Sequence, residues 1–394
     1  MSIRTFVIPL FCAYLVLNVY QLCLYSIRAS YGPSDKVDLN TRFSQTLYSL
    51  PKISNSSILY SIVPSEESFN KAYSFLKSFS FESPENNDVV DDIHPRYLRS
   101  QLYATYEEDF LTESHYLFVY GTTMIDTNDK NRQTIQENTL KSFNLFKQNY
   151  NCEFVIFTDS ESIINMVEAY NLTYSTQFKS NRYNVPYFHS MMKYLETHYD
   201  SDFYGYVNGD ILQESVLFDI LQQTLVNIEQ HKLHKRVLLI GRRYNIKITS
   251  IDLSSSLTDL DAYDEYLRLI TRDVNPHSPN CMDYFIFTRH TFNYNEMSKI
   301  VIGRNYVDSY IFKYAVSKPD VISVIDITNT QIAVHQSDAD KHKLKQNRFD
   351  YDYNFFIYIF HYPFQKLSRT DMAPLQYVHC EDNEYNLCLA HQQL

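Results

Sequence analysis

Glycine is scarce in this chain: only six occur in 394 residues, at positions 32, 121, 205, 209, 241 and 303. Neither GxGxxG nor GxxxxGK(S/T) can be written from them, so the Rossmann dinucleotide loop and the P-loop are excluded. HExxH, GxSxG and CxxC are missing as well. Tryptophan is absent, a compositional bias from which no function follows. Positive charge is in deficit, with 35 Lys+Arg against 46 Asp+Glu and a net charge of -11. A nucleic-acid binder needs a basic stripe to displace counterions, so nucleic acid is not an expected partner. What the chain does have is core material. At 44% hydrophobic residues, with 35 Tyr and 26 Phe, it is not a disordered polymer. Its length suits one large domain or two ordinary ones, at about 100–200 residues each.

Residues 6–27 (FVIPLFCAYLVLNVYQLCLYSI) are uncharged and end at Arg28. About 20 predominantly apolar residues span a bilayer as a helix. Pro9, Asn18 and Gln21 weaken the run without disqualifying it. A cleaved signal peptide has an apolar region of about 7–15 residues and a small-x-small cleavage site. This run is longer, and Arg28-Ala29-Ser30 is a poor site. The expectation is a signal anchor at 6–27 behind a cytosolic tail at 1–5. The positive-inside count does not decide orientation, with Arg4 before the anchor and Arg28, Lys36 and Arg42 after it. The sequons Asn55-Ser56-Ser57 and Asn171-Leu172-Thr173 favour a luminal body in the Golgi or endoplasmic reticulum. Cys152, Cys281, Cys380 and Cys388 lie in that body. They permit three pairings, of which Cys380 with Cys388 closes the shortest loop, or four buried thiols.

Residues 28–110 are polar, Ser-rich and acidic, as in SEESFN and ESPENNDVVDD, and read as a luminal stem. From about Tyr116 short apolar runs alternate with helical patterns, the texture of an α/β sheet. The runs are YLFVYG (116–121), EFVIFT (153–158), FYGYVN (203–208), VLLIG (237–241), YFIFT (284–288) and ISVIDI (322–327). Helical spacing joins Ile163, Ile164, Val167 and Tyr170, then Phe188, Met191, Met192, Leu195 and Tyr199 behind Pro186. It recurs at Leu217, Leu221, Leu225 and Ile228, and at Val307, Tyr310, Ile311 and Tyr314. Strand and helix alternation over 116–208 implies right-handed crossovers and a mainly parallel sheet, with ligands beyond the carboxyl ends of its strands. The expected catalytic domain is 111–345. The aromatic-rich extension at 346–394, too short in its apolar core for a second span, is expected to pack on it.

One strand end combines an apolar strand, a polar-Gly-Asp turn and another apolar run: Tyr206-Val207-Asn208-Gly209-Asp210-Ile211-Leu212. Two oxygen-bearing side chains two positions apart leave most of a hard cation's shell open for water and phosphate, which suits Mg²⁺ or Mn²⁺. Asn-Gly and Gly-Asp are also ordinary turn pairs.

The order of these parts resembles the nucleotide-sugar glycosyltransferases of the GT-A fold, a Rossmann-like mainly parallel sheet with flanking helices. More narrowly it resembles animal proteins of the nucleotide-diphospho-sugar transferase type. Those carry a Y-x-N-(G/S)-D-I-L strand end, an I-x-G-R-R strand, a D-Y-F-x-F strand, a V-I-G-R turn and a late V-H-Q. Here stand YVNGDIL at 206–212, LIGRR at 239–243, DYFIF at 283–287, VIGR at 301–304 and VHQ at 334–336. The resemblance spans about residues 116–340. It departs at the metal motif, where Asn208 replaces the first carboxylate of a DxD.

The resemblance implies transfer of a sugar from a nucleotide-diphosphate donor to a glycan, glycoprotein or glycolipid acceptor, with Mn²⁺ or Mg²⁺ as cofactor. A divalent cation would neutralise the charge that builds on the departing diphosphate. Asp210 is the expected ligand, with Asn208 a ligand or a contact to the sugar or ribose. His335, after the apolar QIAV, could complete the site, since Mn²⁺ accepts imidazole. Arg242 and Arg243 could meet the diphosphate with planar forks. By analogy Asp159, Arg182 and Asn184 contact base, ribose or phosphate; on local geometry alone Asp159 would simply cap a helix beginning near Ser160. For an inverting transfer Asp308 is the first candidate for general base and Asp283 the second. Asp308 would also complement a helix dipole without any catalytic role. Competing expectations are a membrane-tethered pseudoenzyme that binds carbohydrate or acts as a scaffold, which Asn208 favours, and a nucleotidyltransferase or hydrolase on a similar sheet.

Overall fold

The aromatic and β-branched runs become strands whose alternate residues serve two cores. In the computed structural model, which describes residues 114–251, 253, 259–337, 353–362, 368–380 and 383–391, the strands are β1 (His115–Thr123), β2 (Cys152–Phe157), β3 (Thr173–Ser175), β4 (Asp200–Val207), β5 (Ile211–Gln213), β6 (Arg236–Ile240), β7 (Tyr244–Lys247), β8 (Tyr284–Thr288), β9 (Ile322–Asp326), β10 (Ala333–Ser337), β11 (Leu375–Cys380) and β12 (Asn383–His391). The helices are α1 (Lys130–Asn149), α2 (Glu161–Ala169), α3 (Phe188–His198), α4 (Val216–Glu229), α5 (Leu260–Thr271), α6 (Val307–Val316) and α7 (Tyr353–His361). All described residues belong to one compact unit, Glu85–Leu394. The tail, the anchor, the stem and the first sequon lie outside the described residues. Among those described, no helix is long and apolar enough to cross a membrane.

Among the described residues the strands form a nine-stranded sheet, β12-β11-β9-β6-β8-β4-β1-β2-β3, and a three-stranded sheet, β5-β10-β7. The architecture is mixed α/β with a mostly parallel central sheet. β1, β2, β3 and β4 run parallel, as do β6, β9 and β11. β8 is the exception that matters for function. It is antiparallel to both β4 and β6, so its first residues stand where its neighbours' carboxyl ends arrive. Side-chain alternation splits the sheet cleanly. Phe118, Tyr120, Phe154 and Phe203 join one buried cluster with α1, α4 and α5. Val119, Val155, Tyr204 and Tyr206 join the other with α3 and α6.

One helix, α1, carries no strong apolar stripe in the sequence. The buried face of α1 mixes Ile135, Leu140, Phe143 and Phe146 with Gln136, Asn138, Thr139 and Ser142. Its start is set by Asp129, whose side chain accepts from the backbone N–H groups of Asn131 and Arg132. α5 is capped in the same way by Asp259. α3 begins at Phe188 rather than at Pro186, because Pro186 is drawn into a bridge with Ser180 and Tyr187 into one with Val301.

The C-terminal extension does more than pack against the domain. β11 pairs in parallel with β9 and turns back into β12, with Cys380 disulfide-bonded to Cys388. α7 lays aromatic rings against α6 and its approach, with Tyr306 5.1 Å from Phe355 and 5.2 Å from Tyr358. Tyr306 holds φ at 70° directly before α6, a left-handed conformation that a bulky residue adopts only when its surroundings impose it.

Gly205 sits in the middle of β4, and a methyl added there would lie 2.8 Å from the Phe285 carbonyl oxygen and 2.8 Å from the Tyr120 ring. Backbone on one side and a buried ring on the other leave little room to relax. Gly205→Ala is expected to lower stability by about 1–3 kcal/mol, read as a lower urea midpoint with unchanged slope.

Candidate functional site

β4 delivers Asn208-Gly209-Asp210 to the sheet edge, and several buried hydrogen bonds hold this turn. Gly209 presses on β1, where a side chain would meet the Thr123 carbonyl oxygen at 2.6 Å. The Thr139 hydroxyl of α1 lies 3.1 Å from the Gly209 carbonyl. The Gln336 backbone N–H of β10 donates to the Asp210 carbonyl at 2.9 Å. The Gln336 side chain accepts from Asn138 Nδ2 at 2.9 Å and donates to the Ile135 carbonyl at 3.2 Å. The polar face of α1 is therefore the mould of the turn.

β10 pairs antiparallel with β5, setting His335 opposite Ile211 and next to Asp210. His335 lies inside this strand rather than after it, because β10 runs on to Ser337 between β5 and β7. Its Nε2 is 3.6 Å from Asp210 Oδ2, and Arg132 Nη1 of α1 is 3.1 Å from the same oxygen. Burial alone would raise the Asp210 carboxyl. His335 and Arg132 overcome it and hold that carboxyl well below the usual carboxylate range. Asp210 Oδ1 and His335 Nδ1 are buried without a hydrogen-bond partner.

These observations test the expected cation. One carboxylate and one imidazole within reach of each other, with an unpartnered carboxylate oxygen, fit a borderline ion such as Mn²⁺. No group of three or more His, Cys, Asp or Glu suited to a metal occurs among the described residues. The protein would thus supply two ligands and leave the rest to water and phosphate oxygens. Asn208 points elsewhere. Its Oδ1 accepts from the Tyr206 hydroxyl at 3.0 Å and its Nδ2 donates to Asp283 Oδ1 at 2.8 Å.

Asp283 stands at the head of antiparallel β8, which is why it meets the end of β4. Its second oxygen is ion-paired with Arg243, whose Nε also donates to Asn245 Oδ1 at 3.0 Å. Arg243 is thereby committed to a carboxylate. Arg242 turns the other way, its backbone N–H on Thr328 Oγ1 at 3.0 Å and its Nε buried without a partner. Asp308 lies in the first turn of α6 and accepts from the Ser309 backbone N–H at 2.7 Å. Burial pushes its carboxyl up to about 7. The Ser309 hydrogen bond opposes this, and the nearby Asp283 charge adds to it.

The structure therefore brings Asn208, Asp210, Arg243, Asp283, Asp308 and His335 to one end of the sheet. Asp159 is exposed at the end of β2, before the Ser160 that begins α2. Arg182 and Asn184 are exposed on the loop before α3. Arg182 lies over the Tyr183 ring at 4.8 Å, and Asn184 holds a left-handed φ of 59°. No contact ties these three to Asp210. A cavity of about 860 Å³ lies at the opposite, amino-terminal end of β9, lined by Leu233, Ile322, Leu375 and Leu389, and holds none of the candidates. One participant, Arg132, was not signalled by any motif, and Gln336 stands in the VHQ at 334–336 without its clamping role being read there. For Arg132 a cue exists: the first turn of α1 carries no acid to answer it.

No family model matches the chain, and no curated protein matches it. Among solved structures, one provisionally described as a nucleotide-diphospho-sugar transferase from Desulfovibrio desulfuricans G20 shares 8% identity over 53% of this chain and 78% of that one, with a TM-score of 0.30. S. aureus TarS 1-349 in complex with UDP-GlcNAc shares 13% over 64% and 69%, with a TM-score of 0.31. The 4-diphosphocytidyl-2C-methyl-D-erythritol synthase of Anaerococcus prevotii DSM 20548 shares 16% over 54% and 87%, with a TM-score of 0.27. Likeness at this level carries no functional argument, and the reading below rests on the residues.

Asn208→Asp nominally restores a DxD. Here it would set one carboxylate 2.8 Å from another, where Nδ2 now donates to Asp283. The variant is expected to lose roughly 1–3 kcal/mol at pH 8. The loss should shrink at pH 5, where the new carboxyl can be protonated and donate. Urea melts at the two pH values check this.

Proposed function

We propose that this protein is a GT-A-type glycosyltransferase that moves a sugar from a nucleotide-diphosphate donor to an acceptor hydroxyl on a glycan, glycoprotein or glycolipid, with Mn²⁺ or Mg²⁺ as cofactor. The observation that carries the reading is the Asp210–His335 pair, 3.6 Å apart on a turn clamped at the carboxyl end of the sheet. In open α/β sheets this is where ligands bind. Asp210 and His335 would hold the cation, which supplies Lewis-acid neutralisation of the leaving diphosphate. Arg242, with an unpartnered Nε, is the less committed of the two neighbouring arginines, since Arg243 is ion-paired with Asp283.

Asp308 takes the acceptor's proton in an inverting transfer. A base must be ionised to act, and a carboxyl near 7 balances ionisation against proton affinity. Asp283 is the poorer base, since Asn208 and Arg243 occupy its two oxygens. Residues 6–27 anchor the protein, and the body faces an oxidising compartment of the secretory pathway. The Cys380–Cys388 disulfide and the exposed Asn171 of the second sequon support this.

A second reading draws on Asn208 being tied to Asp283 and on Arg132 occupying Asp210. It makes the domain a carbohydrate-binding or scaffolding module without turnover. A screen of UDP- and GDP-sugars with and without Mn²⁺ separates the two. Turnover that is lost in Asp210→Asn while the melting curve persists supports the enzyme. Binding without metal dependence or turnover supports the module. For the enzyme, kcat/KM is expected to fall as pH drops through about 7. Asp308→Asn should lower kcat by about 10²-fold or more and remove that limb of the profile.

A further inference from the structure

The first turn of α1 contains Lys130 and Arg132 and no acidic residue. A helix amino terminus carries partial positive charge and favours anions, so two cations there are out of place without a compensating partner. Asp210 is that partner, reached across 78 residues of sequence at 3.1 Å. The contact is single. Arg132 uses Nη1 on Asp210 Oδ2, while Arg132 Nε and Asp210 Oδ1 are both buried without a hydrogen-bond partner. An arginine settled in a purely structural pair would use its fork on both oxygens. This one holds back donors beside the carboxylate assigned to the cation, at a helix end whose backbone N–H groups are already capped by Asp129.

A divalent ion at Asp210 would compete with Arg132 for one carboxylate. A diphosphate relieves the competition, because it brings enough anionic oxygen for both. We propose that Arg132 is a diphosphate-binding residue that makes cation binding at Asp210 conditional on the nucleotide. Without nucleotide it neutralises Asp210 and discourages a bare divalent ion. When a nucleoside diphosphate arrives, Arg132 turns its fork to the phosphate oxygens and frees the carboxylate. The inference rests on the reading of this edge as a nucleotide-diphosphate site, and nothing in it requires turnover. It also separates Arg132 from Arg243, whose guanidinium is held by Asp283.

The test uses the full chain in detergent, with free Mn²⁺ followed by electron paramagnetic resonance and UDP or GDP by calorimetry. In the wild type, UDP or GDP is expected to tighten Mn²⁺ binding by about tenfold or more, inside the usual range for coupled sites. In Arg132→Gln, Mn²⁺ alone should bind more tightly, the nucleotide without metal more weakly, and the coupling should shrink toward unity. Arg132→Lys keeps the charge without the fork. It should still discourage bare Mn²⁺ while losing metal-free nucleotide affinity, and it preserves the test if the glutamine variant does not fold. Nucleotide binding and Mn²⁺ binding that are both indifferent to Arg132 overturn the inference alone. A wild type that binds neither UDP nor GDP, with or without Mn²⁺, overturns the inference together with the reading of the site.

Discussion

Gln336 is the residue on which the geometry of the site turns. Its backbone holds the Asp210 carbonyl from β10, while its buried amide reaches Asn138 and Ile135 of α1. One residue thereby ties three elements together: the helix that supplies Arg132, the turn that supplies Asp210 and the strand that supplies His335. Buried polar networks of this kind specify one arrangement because a half-made version leaves donors and acceptors stranded. An apolar side chain at 336 would keep the backbone bond to the turn but lose the tie to α1.

With that frame in place, the charges divide into two pairs and one remainder. Asp210 is answered by Arg132 and His335, and Asp283 by Arg243 and Asn208. Asp308 is answered by backbone donors, Ser309 at 2.7 Å and Met282, and burial lifts its carboxyl to about 7. Two carboxylates at one edge, Asp210 and Asp308, thus shift in opposite directions without a change of residue type. The antiparallel insertion of β8 brings Asp283 to the same edge. A parallel strand in that slot would have delivered Asp283 to the other end of the sheet.

Much of this was legible in the sequence, and the illegible part has a consistent cause. The strands at 116–121, 153–158, 203–208, 237–241, 284–288 and 322–327 announce themselves through dense runs of Val, Ile, Phe and Tyr, and all six lie in the central sheet. The helix at 130–149 does not, because its buried face is half polar and answers to Gly209 and Gln336 as well as to an apolar layer. The direction of β8 could not be read from its pattern, since alternation is the same for either polarity. His335 and Asp210 were recognisable as residue types at strand ends, whereas the tie between Asn208 and Asp283 depends on a pairing 75 residues apart. Arg132 was hidden for the same reason. A local rule, that cations oppose a helix start, is broken there by a partner far along the chain.

The hairpin of β11 and β12 gives the order of synthesis a consequence. β9 finds its outer neighbour only in residues 375–380, well after its own last residue in the chain. Until those residues have emerged from the ribosome, β9 presents bare amides and carbonyls to its surroundings. Open sheet edges recruit foreign strands, so the nascent domain passes through a long interval in which its own border is unsealed. The covalent link between Cys380 and Cys388 holds the two strands of the late-arriving cover to each other.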